Sequence, residues 1–540
     1  MQPATGERLV RYVGDRLRFT LSGAVEAHSV FLRTNIGRAV ALRRGVIRQI
    51  QEPEVQVEAS WRDVPMRLVG DEWVVEFALA EVGWFQSKVY VVDADGQQHW
   101  PEGDNVGLSV DPNDARCANT IYCCFPRMFG PNKTARETTA RDGDEHIQKL
   151  DAEGYAVIPP SGTFRDVIAE LPHIMDTLGC RILHLLPVNS TPTTYARMGR
   201  FGSPYACGGL TDIDPALVVF DKRVTGVQQF CELTDAVHAR DGRLLLDLVI
   251  NHTGWCSALQ EDHPEWFLRE DNGEFASPGA WGNTWGDLVE LEPHHRGLWE
   301  HLAEAFLTWC RRGVDGFRCD AGYKVPMPVW RYIIARVREE FPDTIFLLEG
   351  LGGGWDDTEN LLTRGGMQWA YSELFQEYNG DNISGYIDHA LLQSPCIGTL
   401  IHYSETHDNP RLAERGRMWS LMRNRLCALT SVNGGYAFTN GVEWLADERV
   451  NVHNARGLAW GSEENLVAEL SRLNELLAHH PCFRDGAKFK RLSHQDSPIF
   501  ALERTSACGQ QVVLLVNSDS EAPHKLQLLR NELAANENWI

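Results

Sequence analysis

In the segment GVDGFRCDA, residues 313–321, an arginine and an aspartate stand two residues apart at the end of a short apolar run. A strand puts residues i and i+2 on one face, so Arg318 and Asp320 share one side while Phe317 and Cys319 share the other. A polar pair at the C-terminal end of a buried strand lies where folds built on such strands hold their active sites, although the same pair on a half-buried strand can simply face water. Three more apolar runs end in the same style. LLLDLVINH puts Asp247, Val249 and Asn251 on one face and is followed by His252; IFLLEG ends at Glu349; YSETHDNPR delivers His407 and Asp408. A lone acid at a strand end is as often structural as functional. Four strands that each end in an acid or a histidine point instead to a polar ligand, because uncompensated charge near a core is costly.

The elements that must position these groups can be read on either side. GLWEHLAEAFLTWC, before the Arg318 strand, spaces Leu298, Leu302, Phe306 and Trp309 at helical intervals; VWRYIIARVREEF, after it, repeats the pattern with Trp330, Ile333, Ile334 and Val337. A strand between amphipathic helices belongs to a βα series and a parallel sheet, whose active sites lie at the C-terminal strand ends. Eight strand candidates follow in order: TIYCCFPRMF, RILHLLPV, RLLLDLVIN, VDGFRCD, TIFLLE, MQWAYSE, LIHYSETHD and GYAFTN. Eight closes a barrel, so the expected fold is α/β, a (β/α)8 TIM barrel over 113–483 with an insertion at about 253–296 after the third strand. Residues 1–112 show short alternating runs such as EWVVEFAL, read as an N-terminal β-sandwich domain without helical periodicity. Residues 484–540 return to a β pattern, read as a short or incomplete C-terminal β domain.

Composition narrows the partners. The 540 residues carry a formal charge of −23, which argues against nucleic acid and anionic lipid surfaces, since both call for clustered Lys and Arg. No apolar run is long enough for a bilayer, and the N-terminus has no apolar signal core, so no membrane partner and a cytoplasmic location are expected. Thirteen cysteines without a Cys-x-x-Cys pair read as free thiols. Nothing in the sequence sets the oligomeric state.

Taken together, DLVINH, GFRCD, LLEG and HDNPR resemble, in order and spacing, the motifs of the α-amylase superfamily, glycoside hydrolase family thirteen. GSPYACGGLTDIDPAL is similar to the family segment that lends a stacking tyrosine, here Tyr205. The resemblance covers about residues 117–485. It implies an enzyme on α-1,4-linked glucosides, an α-glucan or maltooligosaccharide hydrolase or transglycosylase. Asp320 would be the nucleophile, Glu349 the general acid/base and Asp408 the third acid, which favours the cationic transition state. Arg318, His252, His407, Tyr205, Arg411, Asp247 and Asn251 would bind substrate or hold the acids.

The layout is also similar to bacterial maltosyltransferases that use maltose 1-phosphate, through SGTFRDVIAELPHI, FGSP and LSRLNELLAHHP. Those enzymes typically depart from the Asn-His and His-Asp motifs kept here, which favours ordinary α-glucans as substrate. A non-catalytic scaffold on the same barrel is the remaining alternative. No cofactor is expected. Asn251 matches a family calcium ligand, but Lys324 stands where a second is often placed, and a cation there repels the ion. Trp255, Trp266, Trp281 and Trp285, all in the insertion, could stack on sugar rings or pack the insertion.

Overall fold

The computed structural model describes the chain except for residues 25–26, 53–59, 136–148, 151, 155–157, 159, 193–194, 379, 456, 520 and 528–540. The last of these stretches belongs to the region read as a C-terminal β domain.

Nine strands open the chain: β1 (Arg8–Tyr12), β2 (Arg16–Ser22), β3 (Ser29–Thr34), β4 (Arg62–Pro65), β5 (Arg67–Val69), β6 (Glu72–Ala78), β7 (Gly83–Val92), β8 (Gln98–His99) and β9 (Val106–Asp111). They form one sheet in the order β1-β9-β7-β3-β4, with β8 on β7, and a second in the order β2-β6-β5. Between them Phe19, Val30, Leu32, Phe85, Val89 and Leu108 make a core separate from that of the barrel. One expectation fails here: residues 39–51 are an α-helix. Its stripe, Ala39, Leu42, Val46, Ile47 and Ile50, has helical spacing, interrupted in the sequence by Arg43, Arg44 and Arg48. Val46, Ile47 and Ile50 pack into the barrel's core, and Gln51 reaches the Tyr332 hydroxyl at 3.3 Å.

All eight expected barrel strands are present and close on themselves: β10 (Thr120–Cys124), β11 (Ile182–Leu185), β12 (Arg243–Val249), then β13 (Gly316–Asp320), β14 (Ile345–Leu348), β15 (Trp369–Tyr371), β16 (Thr399–Tyr403) and β17 (Tyr436–Thr439). Every pairing around the ring is parallel, so all eight C-terminal ends share one rim. The two faces of β13 behave as the spacing requires. Phe317 is fully buried against Phe306 of helix Arg296–Arg311, with ring centroids 4.6 Å apart. Arg318 and Asp320 face the barrel axis, and the register sets Asp247 opposite Arg318 and Val249 opposite Asp320. The insertion after β12 is a compact pair of small antiparallel ribbons, His252–Gly254 with Leu288–Glu290 and Gly279–Ala280 with Asn283–Thr284.

After the barrel, Lys488–Arg491, Ile499–Thr505 and Gln511–Asn517 form a three-stranded antiparallel sheet. It is locked on through Arg504, which is wholly buried and donates to the carbonyls of Cys482, Leu429 and Ser431 at 2.9 Å. All thirteen cysteines are free thiols. No helix among the described residues is long and apolar enough to cross a membrane.

Candidate active site

Arg318 is the hub of the rim. Its Nη1 donates to both oxygens of Asp247 at 3.0 Å and to Asp320 Oδ1 at 2.5 Å, and its Nη2 lies 3.9 Å from Glu349 Oε2. One buried guanidinium thus serves three carboxyl groups from three adjacent strands. Burial works against its charge, but Asp247, Tyr371 and Asp320 raise its pKa well above the usual arginine value, so it stays cationic.

The three acids are not equivalent. Asp247 is fully enclosed; burial pushes its carboxyl up, while Arg318 and the Tyr205 hydroxyl, which donates at 2.9 Å, pull it back. With its acceptor sites taken by protein donors, it is a brace for Arg318 and Tyr205. Asp320 is bonded only on Oδ1 among the described residues, which leaves Oδ2 open. Glu349 accepts from the Ala321 N–H at 2.8 Å and from the Leu351 N–H at 3.0 Å. Ala321 reaches it by taking a left-handed backbone, φ 43°. Burial, reinforced by the charge of Asp320, raises the Glu349 pKa against the pull of Arg318 and the two N–H groups. The rim therefore offers an aimed carboxylate and, beside it, a carboxyl that holds its proton to higher pH. That division of labour allows nucleophilic attack with general acid assistance.

The histidines flank the acids as neutral rings. Burial lowers His252 to about 4, despite the opposing charge of Asp320, and burial likewise lowers His407. The Tyr205 ring stacks on His407 at 5.5 Å and 9°, and its hydroxyl lies 2.7 Å from His407 Nε2. His252 Nε2 and His407 Nδ1 are buried without a hydrogen-bond partner among the described residues. Orphaned buried polar atoms are uncommon in folded proteins, and beside a row of carboxyl groups they suit a ligand rich in hydroxyls. Asp408 stands apart from this cluster, its side chain 69 % exposed and 3.4 Å from His407 Nε2.

Two expected site residues are placed otherwise. Arg411 does not join the cluster: it is 1 % exposed, pairs with Glu405 at 2.9 Å, and donates to the carbonyls of Ala446 and Asn440. Its guanidinium faces protein partners rather than the acids gathered around Arg318. Asn251 is buried, with Nδ2 3.4 Å from His252 Nδ1, and its backbone carbonyl accepts from the Leu291 N–H. Lys324 Nζ donates to the Gly279 carbonyl at 2.6 Å and lies 5.4 Å from the Trp285 ring centroid. An ammonium whose charge bears on His252 and Glu290 does not fit a calcium ion, which needs several oxygen donors. Among the described residues no group of three or more His, Cys, Asp or Glu could hold a metal.

Four side chains near the acids had gone unnoticed in the sequence. His184 lies 3.9 Å from Asp247 and 3.2 Å from the Tyr403 hydroxyl; Tyr403 packs on Tyr371, whose ring lies 5.4 Å from the Arg318 guanidinium. Together they form a polar floor under Arg318. The signal was present, since each is a polar residue within a largely apolar strand run. Tyr323 is the fourth. It presses on the turn after Glu349, where a Cβ on Gly352 would fall 2.1 Å from its hydroxyl, so the glycines of EGLGGG mark its seat.

No family model matches the chain. It is similar to curated relatives named alpha-1,4-glucan:maltose-1-phosphate maltosyltransferase. That of Cereibacter sphaeroides is 27 % identical over 404 residues, which is 69 % of this chain and 58 % of the relative. The Burkholderia pseudomallei protein is 34 % identical over 67 % of this chain and 33 % of its own length, and that of Myxococcus xanthus 23 % identical over 96 % and 87 %. The matched region spans 55–64 % of the length of the first such relatives. Among solved structures, an α-amylase from Geobacillus thermoleovorans complexed with acarbose shares the fold with a TM-score of 0.60, at 18 % identity over 77 % of this chain and 90 % of that one. A cyclomaltodextrinase does so with a TM-score of 0.58, at 17 % identity over 95 % and 90 %. The closed parallel barrel, the acids from adjacent strands gathered at one rim, and these relatives make the chain similar to the α-amylase superfamily, glycoside hydrolase family thirteen.

Proposed function

We propose that the protein is a retaining enzyme that acts on α-1,4-linked glucosides and transfers a maltosyl unit to a glucan acceptor, with maltose 1-phosphate as donor. The observation that carries the chemistry is the Arg318 hub, which donates to Asp320 Oδ1 at 2.5 Å while burial raises the pKa of Glu349 beside it. In the first step Asp320 Oδ2 attacks the anomeric carbon, Glu349 gives its proton to the departing oxygen, and a glycosyl ester forms. In the second step Glu349, now a base, takes the proton of an acceptor hydroxyl, which displaces Asp320 with net retention. His252 and His407, with orphaned ring nitrogens, bind hydroxyls of the sugar held between the acids, and Asp408 at the mouth completes that set. The choice of donor rests on the relatives' shared name.

A second reading, hydrolysis of or transfer from ordinary α-glucans, is favoured by the retained Asn251-His252 and His407-Asp408 motifs. Separate incubations with maltose 1-phosphate plus maltohexaose and with maltohexaose alone distinguish the two. Products lengthened by two glucose units, with release of inorganic phosphate, support the first; size redistribution without the phosphate donor supports the second.

A further inference from the structure

The four tryptophans of the insertion separate cleanly. Trp255 donates to the Gly286 carbonyl and packs edge-on against Phe275, and Trp266 stacks on His263 at 3.7 Å. Trp285 sits between His252, at 6.1 Å, and the Lys324 ammonium. Trp281 does none of this: it is 72 % exposed.

Its position makes that exposure costly. Ala280 pairs with Asn283, so Trp281 and Gly282 are the two central residues of a tight hairpin, and both have positive φ, 51° and 79°. Such a turn favours Asn-Gly, Asp-Gly or Gly-Gly, whereas a bulky side chain in the left-handed region is strained. The fold gains no burial from the residue in return. The hairpin is also anchored to the catalytic strand. Lys324, four residues past Asp320, donates to the carbonyl of Gly279 at its base, and Trp285, the first residue after it, stands beside His252. A strained, exposed aromatic on a hairpin tied to the turn that follows the nucleophile fits a platform for a ligand extending beyond the acids.

We propose that Trp281 is a specificity-determining platform for α-glucan chains longer than those the acids themselves grip, stacking its indole on a glucose ring outside the Asp320–Glu349 pair. The inference rests on the glucan-active reading above. The class of ligand follows from the surroundings: a flat apolar face on a hairpin tied through Lys324 and Trp285 to a site lined with carboxyls and histidines suits a sugar, whose axial C–H faces are apolar and whose hydroxyls need donors and acceptors.

The test uses the full chain and two substitutions, Trp281→Ala and the conservative Trp281→Tyr. Maltohexaose is titrated calorimetrically into Asp320→Asn protein with and without Trp281→Ala, and kcat/KM is compared for maltose and maltohexaose as acceptors in the catalytically intact background. Loss of one ring face should weaken maltohexaose about tenfold and lower the maltohexaose-to-maltose ratio by about the same factor, with Trp281→Tyr restoring most of it. Unchanged affinity and ratio in a protein that binds and turns over glucans would overturn the platform alone. A change in oligomeric state on Trp281→Ala, seen by size-exclusion chromatography with glucan affinity intact, would also overturn it and make the residue a subunit contact. No binding and no turnover of any α-glucoside by the unsubstituted protein would remove the glucan reading itself.

Discussion

Two arginine–carboxylate pairs lie near the same rim, and they do opposite things. Arg318 is shared by Asp247, Asp320 and Glu349 and leaves Asp320 Oδ2 open to the cleft. Arg411, in the segment after β16 and three strands from β13 around the ring, pairs with Glu405 and donates to two backbone carbonyls, all inside the protein. Both arginines fall inside motifs that resemble the family's, and both are nearly fully buried. What separates them is their partners: Arg318 gathers three carboxyl groups from adjacent strands, whereas Arg411 ties one carboxylate to two backbone carbonyls from separate segments. A motif match therefore names the residue, and the groups it pairs with in the folded chain say what it positions.

That contrast can be broken most sharply at Asp320. Asp320→Asn should lower kcat by about a thousandfold or more with the melting temperature nearly unchanged, because an amide cannot form the ester. Activity and thermal unfolding measured on the same preparation check it, and near-normal turnover would move the nucleophile elsewhere. Arg318→Lys should lower kcat/KM by about a hundredfold, since a point charge cannot serve three carboxyl groups as a planar fork does; steady-state kinetics on the folded variant decide.

Arg411→Ala should show the reverse pattern. Removing one partner of a buried pair leaves Glu405 uncompensated and costs about 3–5 kcal/mol, so denaturant unfolding should shift strongly while the activity of the folded fraction stays near normal. A large fall in kcat/KM without loss of stability would put Arg411 back on the substrate.

The pH profile sharpens the comparison with the smallest effect. Burial raises Glu349, so its carboxyl stays protonated above the ordinary glutamate range, and activity should persist there and fall as pH rises through that raised value. With an activated donor that needs no leaving-group acid, Glu349→Gln should lose this alkaline limb, and an unchanged limb would contradict the acid role.

Most of the scaffold was legible because barrel strands buried on both faces read as unbroken apolar runs, and a charged residue ending such a run stands out. Asp247, Arg318, Asp320, Glu349 and His407 were visible for that reason, and the structure gathers them. Helix Ala39–Gln51 was missed because three arginines interrupt a stripe whose spacing is nonetheless helical. His184, Tyr371 and Tyr403 were missed because a polar residue in a largely apolar strand looks like a satisfied core group until the barrel closes around it. The fate of Arg411 was not readable, since its partners Glu405, Asn440 and Ala446 come from separate segments and nothing local records that they consume the guanidinium. Trp281 differs again: Trp-Gly in a two-residue turn is unusual chemistry, visible only once the hairpin register is known.

The central claim is that Asp320 attacks the anomeric carbon, and covalent trapping tests it most directly. A fluorinated α-glycosyl donor with a very good leaving group should react with Glu349→Gln protein and stall, because the fluorine slows both displacements and no carboxylate remains to activate the acceptor. Peptide mass spectrometry should then find one sugar on the peptide containing GFRCDAGYK, with the ester on Asp320, and added maltose should discharge it faster than water does. A sugar ester on Asp247, Asp408 or any other carboxyl group would contradict the account.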